Sequence, residues 1–255
     1  MALYFTHKPD IRLKNPPLSE VICQVRFPAI FRILTENPTD FQELIRDRFP
    51  LLDMEQEITI RKPGSLSNDE PEKKPQMIIY RFATKDEATI LSLAVNFFAL
   101  STSHYSHWYE FANDLRIGII AIQDIYQPTF STRIGLRYIN RFTQKNTGME
   151  SFEKIIEFLH PDLTALLRNN VLRDATEMIS QVILPDDKAK LTVRTGYATE
   201  GDEKFFLLDY DYFEVGKLEI TNLLERLDSY HNIIYDAFRW CIKDEILGRF
   251  DPIKV

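Results

Sequence analysis

Four small constellations in this chain carry residue types that could do chemistry. Asp186, followed by Asp202 and Lys204, has the letters of a metal-dependent nuclease: two acids for Mg²⁺ and a lysine beside the attacking water. The chain between them reads as one strand, 189–198, with a turn at each end, Pro185-Asp186-Asp187 and Glu200-Gly201-Asp202. At about 3.3 Å per residue that strand holds the two groups roughly 30 Å apart. Ligands of one ion lie within about 2.5 Å of it. The turn reading therefore stands, and no hydrolytic or metal-dependent activity is expected.

Asp209 and Asp211 share one face of a strand over 204–213, with Glu214 beyond. Two carboxylates about 7 Å apart suit a divalent ion or an acid–base pair. Phe206, Leu208, Tyr210 and Tyr212 take the opposite face, so the plainer expectation is an exposed polar face. His104 and His107, three residues apart ahead of a helix, could share a zinc ion. A third ligand would have to come from elsewhere, and Ser103 or Ser106 as an N-cap explains the segment more simply.

The last constellation is a stripe. Arg133, Arg137 and Arg141 alternate along one face of a strand over 132–142, and Arg26 ends the comparable strand near the N-terminus. Arginines at this spacing suit phosphate or carboxylate groups. The competing expectation pairs them with Asp209 and Asp211. Tyr138 and Phe142 point to the other face, so no base-stacking platform is implied. Arg26, Arg133, Arg137 and Arg141 are the candidate binding residues. Asp209, Asp211, His104 and His107 are weak metal candidates, with no metal or cofactor expected.

No Gly-rich phosphate loop and no interpretable Ser-His-Asp or Cys-His order occurs, and the eight glycines are scattered. The balance leans away from an enzyme. A net charge of −7 offers no general field for phosphate, so nucleic acid is not favoured and another protein is the expected partner. The N-terminus lacks a basic region followed by an apolar one, and no run has the roughly 18 apolar residues of a membrane span. A cytoplasmic protein without a membrane partner is expected. Its two cysteines, Cys23 and Cys241, fall at apolar positions and read as buried thiols in a reducing compartment. Oligomeric state is not legible.

The elements that must position these groups follow from periodicity. Val21, Cys23, Val25 and Phe27 alternate with polar residues, which predicts a strand over 19–27. Phe41, Leu44 and Ile45 predict a short helix capped by Thr39 or Asp40. Residues 61–76, rich in proline, serine and charge, read as a mobile surface loop. Strands follow over 77–82 and 89–100, joined by a hairpin at Lys85-Asp86-Glu87. Trp108, Phe111, Leu115, Ile119, Ile122 and Tyr126 predict a long helix that ends before Pro128. After the strand over 132–142 come helices near 151–158 and 161–169, then a meander over 176–184, 189–198 and 204–213. The last helix is expected over 219–247.

The pattern is α+β: antiparallel sheet with long helices packed on one face, arranged as a tandem βαββα pseudo-repeat. One domain over 1–255 would consist of half-units at about 15–130 and 131–250. Val21, Val25, Phe111, Leu115, Leu136, Tyr138, Leu227 and Phe238 should share one core.

The opening Pro16-Pro17-Leu18-Ser19-Glu20-Val21 with Arg26-Phe27, the central Leu136-Arg137-Tyr138-Ile139-Asn140-Arg141 and the closing helix resemble a sporadically distributed family of uncharacterised prokaryotic proteins of about this length. The resemblance spans the whole chain and implies a single-domain prokaryotic protein. Members carry an Arg- and Asp-rich strand where this chain reads Leu93-Ala94-Val95-Asn96-Phe97-Phe98. Patchy distribution of this kind accompanies mobile or defence gene clusters. The functional expectation is a non-enzymatic interaction protein, an adaptor or sensor. The alternative is a module for small ligands or nucleic acid that uses the arginine-lined sheet face and a cavity between sheet and helices.

Overall fold

A computed structural model describes residues 3, 5–57, 77–168, 172 and 175–253. Period-two alternation builds the centre of the fold. Strand β1 (Leu18–Arg26) buries Val21, Cys23 and Val25 on one face. Two short helices follow, α1 (Phe31–Thr35) and α2 (Thr39–Ile45), then β2 (Leu51–Glu57), β3 (Met77–Ala83), β4 (Thr89–Ala94) and β5 (Phe97–Thr102). Helix α3 (Trp108–Tyr126) closes the first half. The second half runs β6 (Ser131–Thr143), α4 (Gln144–Thr147), α5 (Phe152–Glu157), α6 (Pro161–Thr164), β7 (Met178–Asp186), β8 (Ala189–Glu200), β9 (Glu203–Leu218), α7 (Leu223–Cys241) and α8 (Asp244–Leu247).

All nine strands join one sheet in the order β2-β3-β4-β5-β1-β6-β9-β8-β7, and every neighbouring pair is antiparallel. The α+β class and the antiparallel sheet expected from the sequence are thus present. Register puts Cys23 opposite Leu136, and Leu136 opposite Tyr212. Because side chains alternate across a strand, these residues share a face with Leu100, Ile134, Tyr138, Phe142, Phe206, Leu208 and Tyr210. Helical residues meet that face: Phe142 lies beside Phe238, and Phe82 beside Phe41. Helix α3 approaches so closely at Gly118 that a Cβ there would stand 2.5 Å from Leu91 Cδ1. All eight expected core residues lie in one buried cluster. Cys23 and Cys241 are free and buried, and desolvation pushes both thiols up to about 12, leaving them inert as nucleophiles.

Several elements differ from the expectation, each for a local reason. The run over 89–100 is two strands, turning at Val95-Asn96. The carbonyls of those two residues accept from Ile30 (2.8 Å) and Phe27 (3.0 Å), so the segment after β1 holds the turn. Strand β2 escaped the pattern because its Asp-Met-Glu-Gln-Glu run favours no buried face, and Leu51, Leu52 and Met54 are exposed. The expected last helix breaks after Cys241, whose carbonyl accepts from His160 N, while Lys243 N donates to the Phe158 carbonyl. Helices α5 and α6 are shorter than expected, and a 3₁₀ turn over Leu166–Arg168 completes the second. Pro38, not Thr39 or Asp40, is the N-cap of α2. The loop expected at 61–76 lies outside the described residues.

Candidate functional site

The arginine stripe lies on the face of β6 opposite the core cluster, and its charge is spent within the sheet. Arg137 grips Asp209 through Nε and Nη2, each at 2.7 Å, and Arg194 Nη1 reaches the same carboxylate at 3.0 Å. Arg133 Nη2 bonds both oxygens of Asp211, at 2.9 and 3.0 Å. Arg141 pairs with Glu200. Arg133 and Arg141 also lie 4.7 Å over the rings of Phe213 and Phe205. The hydrogen bonds that Arg137 donates to Asp209 raise its pKa further. Arg26, cross-strand from Arg133, forms no ion pair among the described residues. The exposed polar face expected around Asp209 is corrected: this carboxylate is only 1% exposed. Two guanidinium groups cover it, and they fill the coordination positions a metal would need.

The other candidates are placed apart. His104 is exposed, and His107 caps α3 by accepting from Tyr109 N through Nδ1 (3.1 Å), in place of the serines expected there. Ser106 instead donates to Glu110. No group of three metal-capable side chains occurs among the described residues. Asp186 accepts from Tyr212 Oη (2.7 Å) and Leu3 N (3.1 Å) at the turn before β8, at the far end of that strand from Asp202 and Lys204.

A different set of residues converges. Between the core-side face of β6 and β9 and helix α7 is a pocket of about 600 Å³, its mouth included. Its walls are mainly apolar or aromatic: Leu18, Tyr105, Tyr138, Tyr210, Ile234 and Phe238 among them. The chain ahead of β1 forms a strap over it. Lys8 N donates to Asp236 (3.0 Å) and Ile11 N to Tyr235 Oη (3.0 Å). Tyr235 donates in turn to the Pro9 carbonyl (3.1 Å). Farther along, Lys14 N and Asn15 N donate to the carbonyls of Asp251 and Phe250.

Polar groups thread this apolar space. Tyr138 Oη lies 2.9 Å from His231 Nδ1 and 3.4 Å from Tyr105 Oη. His231 is stacked on Trp108 at 4.8 Å and turns Nε2 toward Asp10 of the strap, which also lies 3.3 Å from His107 Nε2. Asn140 donates to the Leu208 carbonyl (3.2 Å) from the pocket wall. Among the described residues no nitrogen or oxygen bonds the Tyr210 hydroxyl, although its side chain is fully buried. The Cys241 thiol, a weak hydrogen-bonding group, lies beside it. Burial raises the pKa of Tyr105, Tyr138 and Tyr210. These phenols therefore stay protonated, and act as neutral hydrogen-bonding groups rather than as tyrosinate bases or nucleophiles.

His231, whose Nε2 lies 3.9 Å from the carboxylate, is the main influence holding the Asp10 carboxyl below its ordinary 3.8, with charge on His107 adding to it against desolvation. A folded value below the unfolded one means a contribution that is complete above about pH 4 and lost as pH falls through the folded value. Thermal melts of wild type and Asp10→Asn should therefore show a constant stability gap above about pH 4 that closes toward zero below it. A gap that does not narrow at all as pH falls below about 4 would show that the carboxylate does not latch the strap.

The sequence signal for this pocket was available. Inward positions of β6 read Ile134, Leu136, Tyr138, Asn140 and Phe142, and an amide in such a series needs a polar neighbour. His231 on the apolar stripe of α7 is the same kind of signal. A scan against protein-family models found no match, and no curated protein matches the chain. No helix among the described residues is long and apolar enough to cross a membrane.

Proposed function

We propose that this chain is a non-enzymatic binding module, a sensor or adaptor, whose pocket takes a small and largely apolar ligand with one hydrogen-bonding head. The observation that carries this reading is Tyr210. A buried hydroxyl left with only a thiol, a weak hydrogen-bonding group, beside it is under-satisfied and uncommon, and a ligand oxygen in the pocket would satisfy it. The mainly apolar, tyrosine-lined walls with a few convergent polar groups fit the usual form of a small-molecule site. On this reading the arginine-lined face is not the ligand site, because Arg133, Arg137 and Arg141 already have partners; Arg26 is left for contact with a protein. A place in a mobile or defence gene cluster, and a cytoplasmic setting, belong to the same proposal.

The architecture supporting the pocket is two half-units. In each, a first strand (β1 or β6) leads through short helices into a meander whose last strand (β5 or β9) returns to pair with it, before a long helix (α3 or α7). The two first strands pair at the centre of the sheet. Contacts of Gly118 with Leu91 and of Phe238 with Phe142 support both long helices lying on one face. The pocket then sits beside the pseudo-twofold, under the strap.

Titration calorimetry with 1-octanol and 4-butylphenol tests the reading. Both should bind wild type, and Tyr210→Phe should bind each about tenfold more weakly, the worth of one hydrogen bond. The free variant should be as stable as wild type or about 1 kcal/mol more so, since it loses an unpaired hydroxyl. Equal affinity in the two proteins, or no binding to either, would refute the pocket as the site.

A further inference from the structure

The two edges of the sheet are built differently. Strand β2 carries Asp53 and Glu55, acids of the kind that discourage edge-to-edge pairing. An antiparallel copy centred on Met54 would set Asp53 opposite Glu55, like charge against like. Strand β7 reads Met-Ile-Ser-Gln-Val-Ile-Leu-Pro-Asp, with no charge before its last residue. Ile179, Val182 and Ile183 are exposed on it, and its single blunting device is Pro185 near one end.

The sequence of β7 is also self-complementary. About Gln181, Ile179 mirrors Ile183, Ser180 mirrors Val182, and Met178 mirrors Leu184. Asp186 and Ala189 pair across a two-residue turn, so they close the hairpin as a hydrogen-bonded pair. Ile179, Gln181 and Ile183 are odd-numbered and turn their N–H and C=O groups toward the edge that no described strand pairs with. An antiparallel strand centred on Gln181 would meet those groups in register and set each exposed isoleucine against another.

We infer that β7 is a homodimerisation edge: two copies pair antiparallel about a twofold through Gln181 and join their sheets into one. The twofold closes the assembly, as an isologous contact must. The contact is small, so the dimer forms on the micromolar scale and is concentration-dependent. This inference is independent of the ligand proposed for the pocket.

Sedimentation velocity of the full chain from about 1 to about 200 µM should show a shift from one chain mass to two. Ile183→Lys, at a position 54% exposed, should melt as wild type does and weaken the dimer more than tenfold. Under mild oxidation Gln181→Cys should form a disulfide-linked dimer, since directly opposed residues lie within bridging distance. Met54→Cys on the other edge should not. A monomer throughout that range, a dimer indifferent to Ile183→Lys, cross-linking at 54 rather than 181, or open-ended polymer would each overturn the inference.

Discussion

Asp209→Ala is expected to lower the unfolding free energy by about 3 kcal/mol, read as a shifted midpoint with unchanged slope in urea melts. Asp209 is the acceptor for three short hydrogen bonds from two guanidinium groups. Its removal leaves Arg137 and Arg194 facing each other, each partly screened from water. The cost of breaking such a cluster comes less from the lost attraction than from the unpaired charge left behind. Replacing all three together, Arg137→Met, Asp209→Leu and Arg194→Leu, should recover most of the loss, because no charge then lacks a partner. Equal stability of wild type and Asp209→Ala would show that water already screens the pair. The same argument extends to the stripe. Alanine at Arg133, Arg137 and Arg141 should cost stability, because those side chains are members of the sheet's ion pairs.

The central strands were legible because burial is one-sided there. Val21, Cys23 and Val25 on β1, and Ile134 through Phe142 on β6, alternate cleanly, and one face of each must leave water. Strand β2 was not legible, since its residues 51–55 are exposed on both faces and its place comes from backbone pairing with β3 and the Arg81–Glu55 ion pair. The split of 89–100 was masked by apolar Val95, a turn residue fixed by the chain after β1 rather than by its own type. For the site, sequence reasoning found the arginines and the acids and held their pairing among its expectations, but not which arginine meets which acid. That follows from strand register: β6 and β9 pair so that Arg137 stands opposite Asp211 and diagonal to Asp209. The strap was invisible, for its hydrogen bonds run to Tyr235, Asp236 and Asp251, more than two hundred residues away, and it has no periodicity to read.

Gly196→Ala should release the first half of β7 and leave the rest of the fold standing. A Cβ at this position would lie 1.8 Å from the Met178 carbonyl oxygen and 2.8 Å from Ile179 Cα. Both are backbone atoms, which no rotamer change can move. The strands must part at the Met178–Tyr197 and Ile179–Gly196 pairs. Because β7 pairs on one side only among the described residues, it can peel away without opening the core, the behaviour of a low-stability edge unit. Amide protection over 178–181 should fall at least about a hundredfold, while protection in β1 and β6 at the centre changes much less. The detached edge can no longer offer Ile179 and Gln181 in register, so the variant should also sediment as a monomer at concentrations where wild type is dimeric. Loss of protection with the dimer intact would place the contact elsewhere. Unchanged protection would mean that the β7–β8 pair absorbs a methyl group by a shift along its whole length, and the edge would then be more plastic than its register implies.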